Sequence, residues 1–188
     1  MATEAELAVQ QAEQEVANAQ GEADRLKIET LRTIADGIPA RVDELAKGYA
    51  LKNPEAIRAL GKEGVSEMRN ELGREALALA ERFATASDKI SWPEPTNKYH
   101  LVRTSDIHSA IFKTFYGRMN DLISVLHKRG LLAESGAELA GAIVPQALYR
   151  QASFESLAVA LNSLGNAKAE LKEANAAFDK ESVESLWD

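Results

Sequence analysis

The chain has 188 residues, 45% of them hydrophobic, a net charge of −7 and no cysteine. That hydrophobic share can build a core and is too high for a disordered chain, and the lack of cysteine excludes disulfides, thiol catalysis and cysteine-held metals. No apolar run reaches the roughly 18 residues of a membrane span, and Met1-Ala2-Thr3-Glu4-Ala5-Glu6 has neither the basic nor the apolar part of a secretory leader. A cytoplasmic protein without membrane contact is therefore expected.

Thr3 and Glu6 have the spacing of a capping box, in which each side chain satisfies a backbone amide of the other residue. From there to Gly37 no proline intervenes, and the strong helix formers Ala, Leu, Glu and Gln dominate. Small and apolar residues recur at Ala5, Val9, Ala12, Val16, Ala19, Ala23, Leu26 and Thr30. This alternation of four and three is a heptad seam. Gly37-Ile38-Pro39 is expected to end this helix and open the next, and Asn53-Pro54-Glu55 reads as a second start with Asn as cap. The helix expected over 55–87 carries Ile57, Leu60, Met68, Leu72, Leu79 and Phe83 on one face, with a kink or break near Gly61 and Gly64.

Pro93 and Pro95 forbid a continuous helix through Ser91-Trp92-Pro93-Glu94-Pro95-Thr96-Asn97, so 88–104 reads as the one long loop. Thr104-Ser105 then caps a helix over 106–129, with Ile111, Phe115, Met119, Leu122 and Leu126 facing the core and Gly130 ending it. Ser135 and Glu138 form another capping box, and Pro145 interrupts the helix that this box opens. In the last long helix Leu157, Leu164, Leu171 and Phe178 repeat every seventh residue, with Ala160, Ala167 and Ala174 three residues after the leucines. Leu at one seam position and Ala at the other suits a partner seam of Ala and Val. Eight of the eleven aromatic residues fall between Phe83 and Phe154, so the bulk of the molecule belongs in the middle of the chain.

These patterns predict an all-α, elongated helical bundle in a single domain. An antiparallel coiled-coil-like stalk is made of 1–36 and 146–179, and a helical head spans 37–145 with its loop at 88–104.

No constellation of catalytic residues emerges. His108 and His127 stand about 28 Å apart on the expected helix and cannot share a metal. Gly61-Lys62-Glu63-Gly64 lacks the strand and the full spacing of a phosphate loop. No catalytic, cofactor-binding or metal-binding residue is assigned, and no small-molecule substrate is evident. A non-enzymatic interaction protein, a scaffold or assembly subunit, is the expectation. Its partner would be itself or another helical protein, met through apolar surface left on Leu7, Val9, Leu26, Leu31 and Leu161. Trp92, in its proline-rich loop, either docks a partner or tucks against the core. In the tail Ser182-Val183-Glu184-Ser185-Leu186-Trp187-Asp188 the seam would fall on Glu181 and Ser185. Leu186 and Trp187 thus belong either to a docking motif or to a turn that packs back on the stalk.

The alternative is nucleic-acid binding. Residues 98–130 carry six Lys/Arg against Asp106 and Asp121 alone, and all three histidines lie there. Ile107 to Leu132, closing on Leu126-His127-Lys128-Arg129-Gly130-Leu131-Leu132, resembles the end of a winged-helix recognition unit, although no wing strands come after it. That resemblance implies phosphate contacts from Lys113, Arg118, Lys128 and Arg129. The acidic balance of the remaining chain argues against it, and no binding is expected.

Overall fold

The computed structural model describes residues 3–131 and 136–187. Among the described residues six α-helices occur in order: α1 (Glu4–Lys52), α2 (Pro54–Ala84), α3 (Thr104–Phe115), α4 (Asn120–Lys128), α5 (Gly136–Ile143) and α6 (Ala152–Trp187). Single 3₁₀ turns occupy Ser87–Lys89, Tyr116–Met119 and Gln146–Arg150. Among the described residues the only β-type pairing is an isolated bridge between Asn97 and His100, so the chain is all-α. The box expected at Ser135 lies outside the described residues, as does Leu132.

α1 begins at the expected box: Glu6 N–H donates to Thr3 Oγ1 (3.2 Å) and Thr3 N–H to Glu6 Oε2 (2.9 Å). It does not end at Gly37. The helix runs 49 residues with Pro39 inside it, about 73 Å at 1.5 Å per residue. An internal proline costs about 3 kcal/mol in an isolated helix. Here the apolar stripe continues across it, with Leu31, Ile34, Ala35, Ile38, Val42, Ala46 and Tyr49 all buried. Burying a large aliphatic side chain contributes about 1.5–3 kcal/mol, so several such residues on each side outweigh the defect. Gly37 has a different use. Arg41 folds back over it to donate through Nη2 to the Ile34 carbonyl (2.8 Å), and a Cβ at Gly37 would collide with that guanidinium. Burial pushes the Arg41 pKa below its ordinary value.

The two heptads meet. Thr30 Oγ1 donates to the Ser153 carbonyl (3.4 Å), which sets an antiparallel register between α1 and α6. Carried outward, that register sets Leu26 opposite Leu157, Ala23 opposite Ala160, Ala19 opposite Leu164 and Ala12 opposite Leu171. At the far end Ala5 stands opposite Phe178. Large residues mostly face small ones, and Ala12, Ala23, Ala160, Leu164 and Ala167 are buried while Val9, Val16, Leu171 and Phe178 are partly so. Leu26, Leu31 and Leu161, expected as open surface, are 6%, 0% and 4% exposed because the neighbouring helices cover them; Leu7 remains 54% exposed.

α2 folds back along α1, with Arg69 Nε and Nη2 donating to Asp43 at 3.1 and 3.2 Å. The expected break is at Gly61, whose φ of 67° lies in the left-handed region that glycine tolerates. Asn53 stands at the N-cap position of α2 with Pro54 in its first turn, as expected, but its side chain makes no capping bond. Its Nδ2 donates to the carbonyls of Tyr49 (2.9 Å) and Leu131 (3.2 Å), tying the end of α1 to the head. The single helix expected over 106–129 is interrupted by the 3₁₀ turn at Tyr116–Met119. The interruption lets Phe115 stack on Phe83 (centroids 3.6 Å apart) while Leu122, Val125 and Leu126 stay buried. α3 starts at Thr104, with Arg103 N–H donating to Asp106 Oδ2 (2.8 Å), so the Thr104-Ser105 pair lies inside the helix and not ahead of it. α6 begins at Ala152, after the 3₁₀ turn, and continues to Trp187.

The loop before α3 is strapped onto the stalk base by Pro95, which sits on Gly165. A Cβ on Gly165 would collide with the Pro95 ring, while nothing lies within 4 Å of a Cβ at Gly73. Both glycines are helical, so alanine improves intrinsic helix propensity by about 1 kcal/mol at either position. Gly73→Ala should raise the urea midpoint. Gly165→Ala should lower the midpoint, with a loss of about 1–3 kcal/mol of stability through overpacking. Equal effects of the two changes would refute the strap.

Candidate functional site

Trp92 holds the strap from beneath. Its indole Nε1 donates to the Ser87 carbonyl (2.8 Å), and the half-buried ring has Lys27 Nζ 6.0 Å from its centroid. Trp92, Pro93 and Pro95 line a small cleft against Leu161, Leu164 and Gly165 of α6. Glu94 reaches Lys168 at 3.6 Å. Lys27 is itself bonded to Asp24 (2.9 Å), and that bond holds the Asp24 carboxyl below its usual pKa. The Trp92 ring therefore packs against its own chain.

The tail does the opposite. Residues 182–187 form neither a separate turn nor a strand; they continue α6. In the register fixed at Thr30 and Ser153, α1 begins opposite Asp179–Lys180, and α6 runs about two turns further. Val183, Leu186 and Trp187 are spaced three and four residues apart, which places them on one helix face. They are 61%, 88% and 89% exposed. Counted from the seam, they occupy the outer positions that turn away from α1. The charges around them are acidic: Asp179, Glu181 and Glu184 against Lys180. The facing part of α1, residues 4–22, carries five glutamates and no Lys or Arg.

The cations of the head do not form one patch. Arg129 is bound to Glu71 of α2 at 2.8 Å, with side chains only 18% and 27% exposed. Lys113 stands on the other side, lining the clefts that flank α3. Arg118 sits in the 3₁₀ turn and Lys128 at the end of α4, both exposed and without an ion pair among the described residues. The helix that would carry a recognition surface is nine residues long. His108 is buried, with Nε2 3.0 Å from the Val144 carbonyl, and His100 is bonded to Asn97 in the exposed loop. Among the described residues no three His, Asp or Glu side chains are grouped to hold a metal, and no helix is long and apolar enough to cross a membrane.

Two clefts flank α3. The first, of about 580 Å³, lies between α3 and the loop and includes His100, Arg103, Asp106, Ser109 and Lys113. The second, of about 540 Å³, lies between α3 and the end of α5 and is lined by His108, Ser109, Phe112, Lys113, Gly141 and Val144. The usable sequence signal for this second cleft is the spacing of His108 and Phe112, four residues apart on one face of α3. Its other wall comes from residues more than twenty positions away. No family model matches this chain, and no curated protein or solved structure is recognisably similar to it.

Both clefts depend on the position of α3, which is set by a two-point clasp. Asn162 of α6 accepts from Val102 N–H (2.8 Å) and donates to the Val102 carbonyl (3.1 Å). Asn162→Asp keeps the acceptor and loses the donor, setting a carboxylate against a carbonyl. It should cost about 1–3 kcal/mol of stability in urea denaturation; an unchanged midpoint would show that the clasp does not hold the loop.

Proposed function

We propose that this protein works by contact, as a homo-oligomeric scaffold or assembly subunit that engages other copies through the tip of its stalk. The observation that carries this reading is the outward face of Val183, Leu186 and Trp187, exposed on the part of α6 that extends past α1. An exposed Trp on a helix is a residue type that anchors protein interfaces, since it buries large area on docking at low conformational cost, and Leu186 beside it widens the apolar face. A seam of alternating large and small residues behind them holds the helix straight, so the anchors are presented in a fixed geometry.

The alternative partner is a different helical protein with an apolar groove, which the same tip would enter face-on. Sedimentation equilibrium of the full chain at micromolar concentration separates the two. A mass above the 20.5 kDa of one chain is expected. A clean monomer would remove the self-association reading and leave the hetero-partner. Leu186→Ser with Trp187→Ala should abolish the association while leaving the monomer's helical content unchanged by circular dichroism, because neither side chain is packed within its own chain.

A further inference from the structure

We infer that the receiving surface for the stalk tip is the cleft between α3 and α5 on a second copy of this chain, so that copies join head to tail. The inference rests on the self-association reading above and adds its second half. The cleft has an apolar floor in Val144, which is 1% exposed. An aromatic shelf of His108 and Phe112 forms one wall, their ring centroids 6.0 Å apart, and Tyr116, 5.7 Å from Phe112, extends it beyond the cleft lining. Phe112 is half-buried and Tyr116 is 45% exposed, so the shelf has a face open to solvent. Gly141 on the opposite wall has nothing within 4 Å of where a Cβ would stand, which leaves the mouth wide. The volume, about 540 Å³, lies within the range of sites that enclose a bulky apolar group.

Charge selects the occupant. Lys113 stands on the rim without an ion pair among the described residues, and Arg103 lines the adjoining cleft. Both acids of that adjoining cleft are engaged: Asp106 accepts from the Arg103 amide and Glu94 pairs with Lys168. Lys113 and Arg103 give this face local positive charge and the tip is acidic, so an approaching tip is steered towards this face and away from another tip. An indole entering the cleft would meet an aromatic shelf and a lysine, both favourable partners for its ring.

The two halves cannot meet within one molecule. Asn162 is clasped to Val102, two residues before α3, and Trp187 lies 25 residues further along the same helix, about 38 Å away. Contact must therefore be between copies. Because tip and cleft are different surfaces, the interface is heterologous and propagates as a chain or closes as a ring.

The experiment uses full-length chains and sedimentation velocity at low and moderate salt. A tip variant (Leu186→Ser with Trp187→Ala) and a cleft variant (Lys113→Glu with Phe112→Ser) should each sediment as monomers. An equal mixture should form a complex of two chains and no larger, because only one intact tip and one intact cleft remain between them. Lys113→Glu alone should weaken wild-type assembly, Glu184→Lys should do likewise, and the mixture of these two should regain it. Assembly that persists in the cleft variants, or a mixture of tip and cleft variants that stays monomeric, would overturn this receiving site while leaving self-association standing. A wild-type chain that is monomeric throughout would overturn both.

Discussion

Ala23 and Ala160 face one another where the stalk leaves the head, and both are almost wholly buried. With no side chain beyond Cβ, they let the two backbones approach closely, and the packing of the whole stalk depends on that approach. Leu164 and Leu171 can then lie against Ala19 and Ala12 without forcing the axes apart. The complementarity of large against small fixes one register, since a shift by a heptad would leave Phe178 or Leu157 without its partner. Packing of this kind is worth little per contact and much in sum. It also makes the stalk stiff, and stiffness matters if the tip is to present anchors in a defined place.

The head solves a different problem, which is to hold short helices around a very long one. α1 passes through the head without a break, and its buried stripe is shared first with α6 and then with α2 and α5. The short elements α3 and α4 have too few residues to be stable alone. They are held by Phe83 stacked on Phe115, by Asn53 reaching the Leu131 carbonyl, and by the Asn162 clasp on Val102. The loop over Gly165 closes the junction. Each of these ties joins residues far apart in the chain, so the shape of the α3 clefts depends on the whole head being assembled.

Charge is divided between the two ends in a way that packing does not require. The outer stalk, where residues 4–22 of α1 lie along the end of α6, is acidic, whereas the head carries the basic segment. Arg129 is accounted for by Glu71, but Lys113, Arg118 and Lys128 have no ion pair among the described residues. An uneven distribution of this sort keeps like ends apart and lets unlike ends meet, which is how electrostatics contributes orientation more than affinity.

Much of the architecture was legible in the residues alone. The heptad positions of both ends, the small-against-large seam, the break at Gly61, the irregular loop around Pro93 and Pro95 and the box at Thr3 all rest on local chemistry: periodicity, ring constraint and side-chain-to-backbone bonding. What sequence misjudged were the positions where local preference and tertiary burial disagree. Gly37 and Pro39 read as a helix end, yet the apolar stripe on both sides of them buries enough area to carry the helix through. The run 106–129 read as one helix, yet stacking Phe115 on Phe83 requires a tighter turn at Tyr116. Asn53 keeps the cap position it was read for, but its side chain serves as a cross-link and not as the cap bond. The exposure of Leu186 and Trp187 was equally undecidable from spacing, since a seam that slips out of phase can either end a helix or turn its apolar face outward. Only the length of α6 relative to the start of α1 decided which, because burial is a property of what lies opposite, and the chain does not carry that information locally.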